Sequence, residues 1–172
     1  AWILVGTEGG TGQAIFDNTE VNLAAGEGAG FRIGTRWSDT EDNTGDGRVT
    51  LQNGSVVYAE ALQEDTNFWV GGGAGSYGEA RILSGSVLDL SGNGWVPVGY
   101  AAPGLTPGGE GLLVIDGAGS LLTGVRGLTA GGRGSDGMVQ ISDGARALIG
   151  GLYADHNVFV DFGWRDGSRG EL

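Results

Sequence analysis

The chain has 172 residues, 38 of them glycine, and carries 21 acidic against nine basic residues, every basic one an arginine, for a net charge of −12. That length allows one domain with a substantial core, while the glycine excess lacks the G-X-Y period of collagen and an apolar content of 40% is too high for a disordered linker. The acidic balance excludes nucleic acid and anionic membrane surfaces as partners, no apolar run approaches the roughly 20 residues of a membrane-spanning helix, and without cysteine there is no disulfide, thiolate nucleophile or cysteine metal site.

The opening Ala1–Gly6, AWILVG, is apolar but has no basic residues before it and no cleavage pattern after it, so it does not read as a signal peptide. It does introduce a repeat. An apolar residue followed by glycine recurs at Val5-Gly6, Ile33-Gly34, Val70-Gly71, Val98-Gly99, Ala130-Gly131 and Phe162-Gly163, at intervals of 28 to 37 residues. After each comes a polar or glycine-rich loop, then a second glycine opening a segment that alternates apolar and polar residues: Gly12–Phe16, Gly47–Leu51, Gly78–Ile82, Gly111–Ile115 and Gly137–Ile141. Period two predicts strands, with Val49, Ala80, Leu113 and Val139 on the face that also carries Leu51, Ile82, Ile115 and Ile141. Gly170-Glu171-Leu172 opens a sixth such strand, and residues 1–172 read as a single solenoid segment excerpted from a longer repeat protein.

A turn follows the last four of these five strands, at Asn53-Gly54, Ser84-Gly85, Asp116-Gly117 and Asp143-Gly144. Asn, Asp and Ser hydrogen-bond their local backbone and glycine tolerates positive φ, which predicts a sharp corner at the same place in every repeat. A second short apolar segment comes next, as in Ser55-Val56-Val57 and Ser86-Val87-Leu88, and the third ends in the apolar-Gly pair. Three short strands and three bends in about 30 residues describe one coil of a parallel β-solenoid. Five to six coils of roughly 28–37 residues account for the chain.

The unit SYGEARILSGSVLDLSGNGWVPVG, Ser76 to Gly99, resembles the repeats associated with bacterial autotransporter passengers and PEP-CTERM exported proteins, and the likeness covers about Gly12 to Gly151. It implies a right-handed parallel β-helix, export, and an extracellular or bacterial cell-surface location. It supplies no catalytic residue.

Candidate sites lie mainly in the loops between the paired glycines. Two loops are long, TRWSDTEDNTGD after Gly34 and YAAPGLTPGGE after Gly99, and they belong to alternate coils, so both should project from one corner. In the first, Asp39, Glu41, Asn43 and Asp46 are closely spaced oxygen donors suited to calcium. The loop fails as an EF-hand, because Thr44 stands at the required glycine and Thr50 at the bidentate glutamate, and it reads foremost as solvated. No cofactor is otherwise implied. Trp37, Tyr100 and Trp164 follow repeat glycines, with Trp69 and Trp95 nearby; as ligand-binding residues they would stack on sugars, and as packing residues they would cover the core or the loops.

Gly131–Val139, GGRGSDGMV, matches the calcium-binding nonapeptide of β-rolls, but its flanking nonapeptides do not match, and the longer repeat accounts for it as one corner. His156 is the only histidine and adjacent Asp155 is poorly placed to orient it, so no catalytic triad is nominated. A lysine base does not exist here. The sequence thus points to a non-enzymatic structural or adhesive repeat segment that self-associates or meets other surface proteins, with a carbohydrate-binding or carbohydrate-active module, its partner a polysaccharide, as the alternative.

Overall fold

The computed structural model describes residues 1–25, 29–35, 45–61, 67–101, 108–150, 159–164 and 169–172. Its strands, in chain order, are β1 (Trp2–Val5), β2 (Thr11–Asp17), β3 (Glu20–Ala25), β4 (Gly30–Thr35), β5 (Asp46–Gln52), β6 (Val56–Ala61), β7 (Asn67–Gly72), β8 (Tyr77–Leu83), β9 (Val87–Tyr100), β10 (Glu110–Asp116), β11 (Leu121–Gly132), β12 (Asp136–Ser142), β13 (Arg146–Ile149), β14 (Phe159–Trp164) and β15 (Arg169–Glu171). No helix occurs among the described residues.

The glycine-opened strands stack into a six-stranded parallel sheet, β2-β5-β8-β10-β12-β15, here the short sheet. Period-two alternation sends one set of side chains inward, and the parallel register places each over its counterpart in the next turn. Ala14, Val49, Ala80, Leu113 and Val139 form one row, and Phe16, Leu51, Ile82, Ile115 and Ile141 the next. The remaining strands make a nine-stranded sheet, the long sheet, whose row Val5, Ile33, Val70, Val98, Ala130 and Phe162 consists of the apolar residues that precede the repeat glycines. The two sets of inward rows meet as one aliphatic core into which Phe31 packs edge-on against Phe68 at 5.2 Å and Phe16 at 6.2 Å. Fully burying one such side chain contributes about 1.5–3 kcal/mol, and the rows repeat that gain at every turn.

The chain is therefore an all-β parallel solenoid, of about four turns rather than the expected five to six. The strand count per turn also varies. In the turns built on β8 and β10, the second and third strands run together as β9 and β11, and the bend between them is absorbed by register shifts around Val125, with Ser91 and Gly124 at φ 55° and 69°.

Two kinds of corner close each turn. After the short sheet, Asn53-Gly54, Ser84-Gly85 and Asp143-Gly144 each place both residues at positive φ, the geometry of a type I′ turn. The Asp116-Gly117 corner departs from this pattern. Asp116 stays in β10, in register with Ser142, and the turn closes one residue later through Ser120 N–H to Gly117 O at 3.1 Å. Behind three of these corners runs a buried serine ladder. Ser55 Oγ accepts from Thr19 N–H, Ser86 Oγ from Ser55 N–H and Ser120 Oγ from Gly85 N–H, at 3.2, 3.1 and 3.0 Å, tying each turn to the next where no strand pairing reaches.

At the other corner the long sheet runs into the short one through two glycine rows. The repeat glycines Gly6, Gly34, Gly71, Gly99, Gly131 and Gly163 all have φ between 55° and 69°. A β-carbon on any of the first five would stand 1.7–2.0 Å from a main-chain oxygen of the next turn. The second row, Gly12, Gly47, Gly78, Gly111, Gly137 and Gly170, is stacked in register and equally crowded, with a β-carbon 2.1–2.6 Å from backbone atoms. Backbone packs on backbone here, and only glycine permits it.

Candidate functional site

With the inward rows committed to the core, chemistry is confined to the outer faces and the corners. On the short sheet, the alternation that buries Val49 and Leu51 turns Arg48 outward, and the register sets it beside Glu79. Glu79 Oε2 lies 3.3 Å from Arg48 Nε and accepts the Tyr77 hydroxyl at 3.0 Å, while Oε1 pairs with Arg81. The Arg48 guanidinium also lies 5.4 Å from the centroid of the Tyr77 ring. Burial pushes the Glu79 carboxyl upward, but the hydrogen bonds from Arg81, Tyr77 and Arg48 outweigh it and hold the group below its ordinary range. Tyr77 moves the other way, raised by burial and then by its hydrogen bond to the Glu79 carboxylate.

Further along the same face, Tyr77, Glu110, Asp136 and Arg169 follow one another in one outward row, and Glu79, Leu112, Met138 and Glu171 in the next. Between these rows lies a groove of about 340 Å³, with Gly111 and Gly137 at its base, Glu110, Asp136 and Arg169 along one side and Leu112, Met138 and Glu171 along the other. A second groove, of about 320 Å³, sits where β9 and β11 bend, against Asp89, Ser91, Thr123 and Leu148.

The outer face of the long sheet carries aromatic rings. Trp69, Trp95 and Tyr100 meet edge to face at centroid distances of 5.1–5.7 Å. Arg32 lies 5.2 Å from the Trp2 ring and 5.5 Å from the Trp69 ring, and Trp95 Nε1 donates to Thr129 Oγ1 at 3.2 Å. The cluster is packed rather than presented. Tyr100, a sequence candidate for ligand stacking, is only 3% exposed: its ring covers Gly132 of the next turn, and its hydroxyl accepts from Arg133 Nε at 3.0 Å. Residue spacing could not show this, because the glycine that receives the ring is 32 positions away.

Trp37, Asp39, Glu41 and Asn43 lie outside the described residues, as does His156. Asp46 opens β5, exposed, in register with Thr11 and Tyr77, and its N–H donates to Gly10 O at 3.0 Å. Trp164 ends β14, with its backbone in register with Gly132. Among the described residues no group of three or more His, Asp or Glu side chains is arranged to hold a metal ion. The nonapeptide-like Gly131–Val139 forms the end of β11, a turn closed by Ser135 N–H to Gly132 O at 3.3 Å, and the start of β12.

The sequence reading passed over the Glu79 hub and the groove beside it. A signal was present: aligning Gly47, Gly78, Gly111 and Gly137 superposes Arg48, Glu79, Leu112 and Met138. Comparison with known proteins finds no matching family model, no matching curated protein and no matching solved structure.

Proposed function

We propose that the chain is a structural or adhesive repeat segment of a bacterial exported or cell-surface protein, a rigid rod that presents loops and outer faces and associates with its own kind or with other surface proteins. The observation that carries this reading is the unbroken stacking: the Val5-to-Phe162 row and the paired glycine rows bind turn to turn through backbone contacts, and the serine ladder adds side-chain bonds at three corners. Such a stack resists bending and exposes ladder edges suited to further pairing. The likeness of Ser76–Gly99 to autotransporter-passenger and PEP-CTERM-associated repeats supports the same assignment.

A second reading, a carbohydrate-binding or carbohydrate-active module, draws on the two long loops. Both leave the same corner, because Gly34 and Gly99 belong to one ladder. With Tyr100 buried, that reading falls chiefly on Trp37. Sedimentation velocity over a wide concentration range, run beside a glycan array, separates the two. Association that grows with concentration, with no retained glycan, supports the rod; a glycan lost on Trp37→Ala, without association, overturns it.

A further inference from the structure

The outer face of the short sheet contains one arginine clamp that the chain fills itself. Arg48 lays its guanidinium over the Tyr77 ring and against the Glu79 carboxylate. Further along the rows carboxylates recur beside apolar side chains, with Arg169 following Asp136 in the same row. Glu110 and Asp136 are register partners on adjacent strands, about 4.8 Å apart. Both are exposed, and among the described residues neither carboxylate has an ion pair or a side-chain hydrogen bond. The neighbouring basic residue, Arg169, is held by Glu171 at 3.1 Å.

Across from the two carboxylates, Leu112 and Met138 form an apolar wall, with Met138 42% exposed although it lies mid-strand. We propose that this groove receives an arginine side chain from a partner protein. The aliphatic stem lies across Leu112 and Met138, as long cationic side chains do on apolar surface, and the planar guanidinium bridges the paired carboxylates of Glu110 and Asp136. A lysine head is a point charge and bridges them less well. The groove volume of about 340 Å³ sits at the low end for ligand sites, which suits one side chain rather than an oligosaccharide. This deepens the surface-protein reading by naming the chemistry of the partner.

Met138 is the only methionine, so a ¹³C-methyl-methionine label yields one resonance, located in the groove wall. The test titrates the whole chain with N-acetyl-arginine amide, its lysine counterpart and the neutral citrulline counterpart. The expected result is a saturable Met138 shift with arginine, about tenfold weaker with lysine and absent with citrulline. The Glu110→Gln/Asp136→Asn double variant removes it, while Asp17→Asn/Glu20→Gln, equal in charge change but remote, leaves it intact. Circular dichroism checks that both variants are folded. No shift, an equal shift with all three probes, persistence in the groove variant, or equal loss in the remote variant overturns the proposal. Such a failure leaves the rod reading standing, because that is read from sedimentation and the glycan array.

Discussion

Gly99 is pressed against the main chain of Asp136 one turn on: a β-carbon at Gly99 would lie 1.8 Å from Asp136 O, at a φ of 59°. Both the left-handed backbone and the contact exclude a side chain. Gly99→Ala is therefore expected to destabilise by more than about 3 kcal/mol, since the clash adds to the strain of a non-glycine residue at positive φ. Gly54 has a similar φ, 77°, but nothing within 4 Å of its β-carbon position. Gly54→Ala should cost only about 1–2 kcal/mol. Urea denaturation of both variants checks the contrast, and equal losses would show that backbone conformation alone, not the meeting of two glycine rows, selects glycine at the corner.

The inward rows predict a gradient of core sensitivity along the axis. Ile82 and Ile141 occupy the same row, yet Ile82 is fully buried and Ile141 is 39% exposed in β12, the last long strand of the short sheet. Ile82→Ala should cost about 2–5 kcal/mol through lost burial and a residual cavity. Ile141→Ala should cost about 1 kcal/mol, because the site collapses and less apolar surface was buried. Chemical unfolding of the two variants measures the difference.

Much of this was legible from one dimension. Alternation from Gly47 to Leu51 and from Gly78 to Ile82, with the repeated apolar-Gly pairs, identifies the strands, their inward faces and their register, because in a solenoid local period and long-range pairing coincide. What escaped depends on contacts between turns or on small changes of length. Asp116-Gly117 has the same turn chemistry as Asp143-Gly144, and only the extra residue before Ser120 moves the corner. Tyr100 reads in the sequence either as a stacking or as a packing residue, because the gap it fills belongs to Gly132. The Arg48–Glu79 pair spans 31 positions and emerges only when repeats are superposed.

The Glu79 hub gives stability a pH dependence of definite sign. Its folded carboxyl titrates below its ordinary value of 4.5. The contribution of its partners is thus fully present above the unfolded value and is lost as pH falls through the folded one. Protonating the other carboxylates relieves the repulsion of a −12 chain over the same range, so the wild-type curve alone is ambiguous. The difference between wild type and Glu79→Gln isolates the term. Wild type should melt higher near pH 7, with the gap closing at acidic pH, whereas a Gln52→Ala variant should show a smaller effect through exposed Asp17, whose carboxyl the Asn53 and Gln52 amides lower. Melting temperatures from about pH 7 to pH 3 decide the matter.

Tyr100 and Gly132 should behave as one packing unit. A β-carbon at Gly132 would stand 2.4 Å from Tyr100 Cδ2, well inside van der Waals contact, while the Gly132 backbone is not in the left-handed region. The cost of Gly132→Ala is then steric and depends on the ring being there. In a double-mutant cycle, Gly132→Ala should lose about 1–3 kcal/mol in the wild-type background and much less once Tyr100→Ala has emptied the space. The two changes should couple by at least about 1 kcal/mol. Near-ultraviolet circular dichroism reports the same event independently, because displacing Tyr100 also disturbs its edge-to-face contacts with Trp69 and Trp95. Additive losses with unchanged aromatic signals would mean that the ring does not rest on Gly132, and would return Tyr100 to the list of side chains free to meet a ligand.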